Sequence, residues 1–280
     1  MQSYNSELSG TVGGLIDQAK ASENLGETEL SLEYYQLAIE GKPLNEEEKI
    51  KQNEIKQFLA NRTFQKWIEK EEWSKVTMAI YKEVKEKKRK LDDENFKLLL
   101  FSENQKNGRA KYNGILDAYA LLEKYDKQRT LTLESQIEQG YAAEKLGGYK
   151  RAKMYYSRAL EKVPDENVDL ILQLVVELKR LYERTKDHKS LVQIYKRAYE
   201  AIKKSSRPKK ELRTYAYLIG YHKFFNLKQN KNARIWLLRS DGGGTSTQEL
   251  QSAFWVAKLD LLAKKQEMAL KRLKELSGRK

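Results

Sequence analysis

Cysteine is absent from all 280 residues of the chain. Disulfides, thiolate zinc sites and cysteine nucleophiles are therefore excluded. The absence suits an intracellular protein and a periplasmic one alike. The compartment stays open, with the cytoplasm slightly favoured and the periplasm requiring that a signal or anchor has been removed. Histidine is nearly absent too: His188 and His222 are the only two, too few for a histidine-rich metal site. No run reaches the roughly 18 apolar residues of a membrane-spanning helix. The opening MQSYNSELSGTVGGLIDQ has neither the basic stretch nor the apolar stretch of an intact signal peptide. Alternating Val, Ile and Thr is also missing, so nothing supports a strand. There are only three prolines, Pro43, Pro164 and Pro208, and none interrupts a helical pattern.

What is present points one way. Apolar residues make up 40% and charged residues 34% of the chain, which suits exposed amphipathic helices. The formal net charge is +14. Such a charge permits nucleic acid, an anionic surface or an acidic protein as partner. The basic runs are 82–91, 196–213 and 264–280. In the first, KEVKEKKRKL closes a predicted helix just ahead of Asp92-Asp93-Glu94. Cations at a helix C-terminus followed by acids at the next N-terminus are what the helix dipoles favour, so this run reads as a solvated helix end.

The most informative stretch is 131–164. It predicts two short helices broken at Leu146-Gly147-Gly148 and stopped by Pro164. Gly140 and Ala143 lie on the first helix; Ala152, Tyr156 and Ala159 share one face of the second. The spacing of Ala152, Ala159 and Pro164 recurs unchanged in Ser31, Ala38 and Pro43, with Tyr35 in the place of Tyr156. Two segments with the same punctuation mark an internal repeat. In this pattern Gly140, Gly147, Tyr149, Ala152, Tyr156, Ala159 and Pro164 resemble a tetratricopeptide repeat. The resemblance implies stacked helix pairs and a general role as a binding scaffold, without naming a partner.

The rest of the chain extends the pattern. Residues 1–12 are expected to be a flexible N-terminal segment, and 13–280 a single solenoid. The best-matched repeats are 15–43 and 131–164. Divergent pairs are predicted at 45–91 and 93–125, and C-terminal pairs at 167–204, 208–239 and 247–277. Asn45 with Glu48, and Ser246 with Glu249, are expected capping boxes. The predicted fold is all-α, a right-handed α-solenoid of about seven antiparallel helix pairs.

No catalytic constellation stands out. Gly242-Gly243-Gly244 lacks the Lys that a phosphate loop needs and reads as a helix connection. His222 has no carboxylate three or four residues away. His188 opens a helix and is expected to be exposed. No cofactor or metal is expected, and the chain is read as a non-enzyme.

In tetratricopeptide-like solenoids the first helices of successive pairs line the concave face. By register, that implies a partner-binding surface of Tyr141 and Glu144, then Val176, Arg180 and Arg184, then Leu218, His222 and Phe225, then Phe254 and Lys258. Aromatic anchors and arginines suit a protein or peptide partner, an acidic one included. The family's carboxylate clamp is not matched, because its positions here hold Ile137, Tyr141 and Glu177. A scaffold or adaptor of a larger assembly is the leading expectation. A basic nucleic-acid-binding solenoid is the alternative, and self-association through the solenoid ends is allowed.

Overall fold

The computed structural model describes residues 11–279. Among them the only regular structure is helical, as predicted. The segment 1–10 lies outside the described residues. Thr11 and Val12, expected to be loose, already cap and open the first helix. Thr11 caps it by accepting the Gly14 N–H at 3.1 Å, and Val12 is buried.

The chain divides into two compact units, Met1–Lys106 and Asn107–Lys280. The first holds α1 (Val12–Asn24), α2 (Thr28–Glu40), α3 (Glu46–Glu69), α4 (Trp73–Lys85) and α5 (Asp93–Asn104). Its helices pack in chain order, with α3 also touching α1. Ser31, Tyr35 and Ala38, the face marked by the repeat, are buried, and Tyr35 and Ala38 pack with Val12, Ile16 and Ala19. The Gln52 amide donates to the carbonyls of Ala38 and Ile39 (both 2.9 Å) and Gly41 (2.8 Å). It thereby satisfies the end of α2, where helix carbonyls have no partner of their own. The Asn45–Glu48 box forms with one change: Asn45 accepts the Glu48 N–H at 2.9 Å, but Glu48 reaches back to Leu44 N at 2.8 Å.

The second unit holds α6 (Gly108–Tyr125), the single turn α7 (Lys127–Thr130), α8 (Leu133–Lys145), α9 (Tyr149–Lys162), α10 (Val168–Arg184), α11 (His188–Lys204) and α12 (Lys209–Tyr221). After a π-helical turn (His222–Asn226) come α13 (Asn230–Ser240), α14 (Thr247–Leu262) and α15 (Gln266–Ser277). From α8 onward each helix packs on the next, and α6 packs on α8. The predicted pair 93–125 thus has one helix in each unit. The largest core cluster runs from Ala143 through Tyr156, Leu178 and Tyr195 to Ile219. Ser246 opens α14 after the glycine connection 242–244 with one change from a capping box: its hydroxyl accepts the Glu249 N–H at 3.4 Å and donates to the Glu249 carboxylate at 2.6 Å.

One turn recurs between the helices of a pair. The first helix ends in a left-handed residue, and the next N–H reaches back five residues: Glu27 to Ser22 (2.9 Å), Gly148 to Ala143 (2.8 Å), Asp187 to Tyr182 (3.0 Å) and Lys265 to Asp260 (2.9 Å). This is the Schellman arrangement, which favours glycine at the left-handed position. Gly26 and Gly147 supply it at φ 78° and 80°. Glu71, Lys186, Lys228 and Lys264 hold the same place at φ between 52° and 59°, a conformation that costs an L-residue about 1 kcal/mol.

Among the described residues the π turn is a departure from helical register. Gly140 lies against Tyr156, and Gly220 lies against Leu237. The second pairing spans one residue more, and the π turn between α12 and α13 absorbs it. Single-residue insertions of this kind are the usual origin of a π turn in a helix.

Candidate partner-binding face

The ten residues expected on the binding face fall into distinct groups within the second unit. Tyr141 (46% exposed) stands on α8 with its ring edge-to-face against Tyr112, the centroids 5.8 Å apart, and with the Lys145 ammonium 5.0 Å from its ring centre. Glu144 is engaged twice. It pairs with Arg180 of α10 at 2.5 Å and accepts the Tyr156 hydroxyl at 3.4 Å. Burial, then the charges of Glu144 and Glu177, push the Tyr156 hydroxyl well above the usual tyrosine range, so it stays a donor. Arg180 also pairs with Glu177 at 2.5 Å. An incoming carboxylate would therefore have to compete with two already present.

The same arrangement exists in the first unit. There Tyr35 donates to Glu23 at 3.3 Å, and Glu23 pairs with Arg62 of α3 at 3.4 Å. In both places a second-helix tyrosine, a glutamate twelve residues before it and an arginine from the following helix form a latch. The latch ties one helix pair to the next.

Val176 (59% exposed) and Leu218 come together across α10 and α12, where both line one cleft. Phe225, Phe254 and Lys258 gather around Trp255. Phe225 and Phe254 meet its ring at 4.7 and 5.1 Å between centroids, and the Lys258 ammonium lies 5.1 Å from it. Cations and aromatic edges disposed around an indole are favourable on electrostatic grounds. Arg184 does not join these groups; it lies over Tyr149 of its neighbouring pair at 4.3 Å.

His222 and His188 need correcting. His222 was placed on the face, but it is buried, and Tyr221 is exposed instead (38%). His222 stands two residues after Gly220 as Ala142 does after Gly140, and it takes the buried position that Ala142 and Leu181 hold in α8 and α10. His188 is not a free surface residue either. Its ring stacks on His222 at 5.2 Å, and its Nδ1 is buried. His222 also stacks on Tyr195 at 5.8 Å and pairs through Nδ1 with Asn226 at 3.1 Å. Burial lowers its pKa below the ordinary 6.5, with the Asn226 bond opposing and His188 adding to the shift, so it is neutral at pH 7. Among the described residues no group of three or more acids and histidines could hold a metal ion.

The sequence reading missed Tyr195, Tyr215, Trp255, Tyr217 and Tyr221 as surface or cleft components. Tyr221 packs on Phe225 with the rings tilted by 39° and their centroids 4.6 Å apart, and Tyr217 donates to Gln251 of α14 at 2.6 Å. The density of aromatics in 215–225 is the available signal.

These features define an all-helical protein built of repeated helix pairs with an aromatic and cationic face on the first helices of its second unit. No protein-family model matches the chain, and no curated protein matches it. Solved structures that share a likeness include MamA of MSR-1 (17% identity over 61% of this chain and 90% of that one, TM-score 0.35). Another is a Podosopora anserina chain named for kinesin light chain and nearly identical TPR-like repeats (14% identity over 65% and 91%, TM-score 0.38). Among the described residues no helix is long and apolar enough to cross a membrane.

Proposed function

We propose that this chain is a non-enzymatic scaffold or adaptor that takes a segment of a partner protein along α8, α10, α12 and α14. One observation carries the reading: successive first helices each hold out a large apolar side chain, Tyr141 (46% exposed), Val176 (59%), Tyr221 (38%) and Phe254 (45%). Apolar groups held at helical repeat intervals, with Arg180 and Lys258 beside them, suit an extended or helical peptide. Tyr141→Ser/Val176→Ser/Phe254→Ser together should weaken binding of a partner isolated with the wild-type chain at least about tenfold, a loss of about 1.4 kcal/mol that a single hot-spot anchor among the three would supply. The thermal midpoint should hold, since all three side chains reach solvent. Unchanged affinity would refute the reading.

The net charge of +14 supports a second reading, in which a nucleic acid lies on the basic surface. Anisotropy of labelled single- and double-stranded oligonucleotides at about 50 and 200 mM salt separates the two. We expect weak binding that disappears at the higher salt, as for a generally basic surface. Tight binding retained at the higher salt would make nucleic acid the partner.

A further inference from the structure

The latch between helix pairs is open at one place, and a cleft lies there. Tyr195 of α11 stands where Tyr35 and Tyr156 stand in their pairs, and Glu183 is again twelve residues before it. Yet no protein group pairs with the Tyr195 hydroxyl, although the side chain is 1% exposed. Glu183 approaches Lys179 at 3.9 Å instead. The face position that is Arg180 in α10 is Tyr221 in α12, so that position offers no guanidinium to hold the glutamate in place. A buried hydroxyl without a partner is costly, and native proteins keep few of them. Burial, then the Glu183 charge, push its pKa well above the usual range. Among the described residues this donor has no hydrogen-bond partner, although Glu211 and Thr214 also line the cleft beside it.

The cleft that Tyr195 lines has a volume of about 310 Å³. Leu172, Val175, Val176 and Leu218 give it apolar walls, and Tyr215 adds a ring. Lys179 is also part of the lining, at the register position occupied by Gly140 in α8 and Gly220 in α12. Where those glycines let a first helix close on its second, α10 carries a long cationic side chain.

We propose that this cleft receives the side chain of a tyrosine from the partner protein. Its ring would contact Val176 and Leu218 within reach of the Lys179 ammonium, and its hydroxyl oxygen would accept the Tyr195 proton once the lining side chains shift to uncover that buried hydroxyl. Each requirement comes from the lining: an apolar body for the walls, an aromatic face for the cation, and an oxygen at the tip for the orphaned donor. This inference deepens the scaffold reading and rests on it, by naming one anchor residue of the bound segment.

The test uses N-acetyl-L-tyrosinamide and N-acetyl-L-phenylalaninamide as probes, titrated into the full chain and followed by amide NMR shifts in α10 and α12. The tyrosine probe should bind in the millimolar range and about fivefold tighter than the phenylalanine probe, the worth of one hydrogen bond. Tyr195→Phe should make the two probes equal. Its thermal midpoint should stay level or rise, because the lost hydroxyl had no partner. Val176→Trp, at an exposed position on the cleft wall, should block both probes without unfolding the chain. Equal affinity of the two probes for the wild type would overturn the proposal. So would discrimination that survives Tyr195→Phe, binding that survives Val176→Trp, or no shift up to the solubility limit. Such a failure leaves the scaffold reading to its own test: a partner still lost on replacing Tyr141, Val176 and Phe254 would show that the face binds but that the cleft is not where a tyrosine sits.

Discussion

Replacing Asp260 by alanine is expected to cost about 3 kcal/mol and to loosen α13–α15 ahead of the rest of the second unit. Asp260 is fully buried on α14. Its two oxygens meet Arg234 of α13 at 2.6 and 3.2 Å, and Arg272 of α15 lies at 3.4 Å. The carboxylate is the common partner of two guanidinium groups whose side chains are each 24% exposed. Removing it leaves both cations largely desolvated and facing each other. Breaking a buried ion pair by deleting one member typically costs about 3–5 kcal/mol, and the partial exposure of the arginines places this case at the lower end. Because each helix pair touches only its neighbours, the loss should stay local. Hydrogen exchange should therefore show amides of α13–α15 opening early while those of α9–α11 keep their protection, and urea unfolding should give the magnitude. Replacing Asp260, Arg234 and Arg272 together by leucine or methionine should recover much of the loss. An Asp260→Ala change below about 1 kcal/mol would mean the triad is solvated in solution and does not join the three helices.

The repeat was legible where its chemistry is carried by particular residue types. Ser31, Tyr35 and Ala38, and Ala152, Tyr156 and Ala159, are buried as their spacing demanded. The caps at Asn45 and Ser246 form on the residues that promised them. Between those segments the same left-handed turn is made by Glu71, Lys186, Lys228 and Lys264. None of these looks like a turn residue, because tertiary packing overrides a local preference worth about 1 kcal/mol. The repeat therefore reads as divergent while its backbone stays regular. His222 departs from the expected face for a sharper reason. Periodicity counts residues, and the π turn at His222–Asn226 adds one residue without any sequence mark. A count carried across the turn is therefore off by one position, about 100° around the helix, which puts His222 on the face although it is buried and Tyr221 is exposed. Long-range pairings were also hidden. Nothing local tells that Glu144 meets Arg180, that His188 stacks on His222, or that Tyr195 is left without the bond its counterparts make.

The close approach at Gly140 yields the other large effect. A Cβ added there would lie 2.7 Å from both Cδ1 and Cε1 of Tyr156, and 3.1 Å from its Cγ. Tyr156 has little room to yield, being 3% exposed, fixed in the main core cluster and tethered through its hydroxyl to Glu144. Alanine is the better helix former by up to about 1 kcal/mol, so an unconstrained site would be stabilised by Gly140→Ala. Here the sign reverses. Overpacking a rigid contact costs about 1–3 kcal/mol, and α8 can relieve it only by moving off α9, which also strains the Glu144–Arg180 tie to α10. We expect a net loss of about 2 kcal/mol for Gly140→Ala and more for Gly140→Val, read from chemical denaturation. The decisive comparison is a double-mutant cycle with Tyr156→Leu. If the ring is what the new methyl meets, the two substitutions should be strongly non-additive, with Gly140→Ala nearly neutral or favourable once the ring is gone. Additive losses would locate the cost in the α8 backbone itself, and the glycine would then serve the helix rather than the contact between the two helices of the pair.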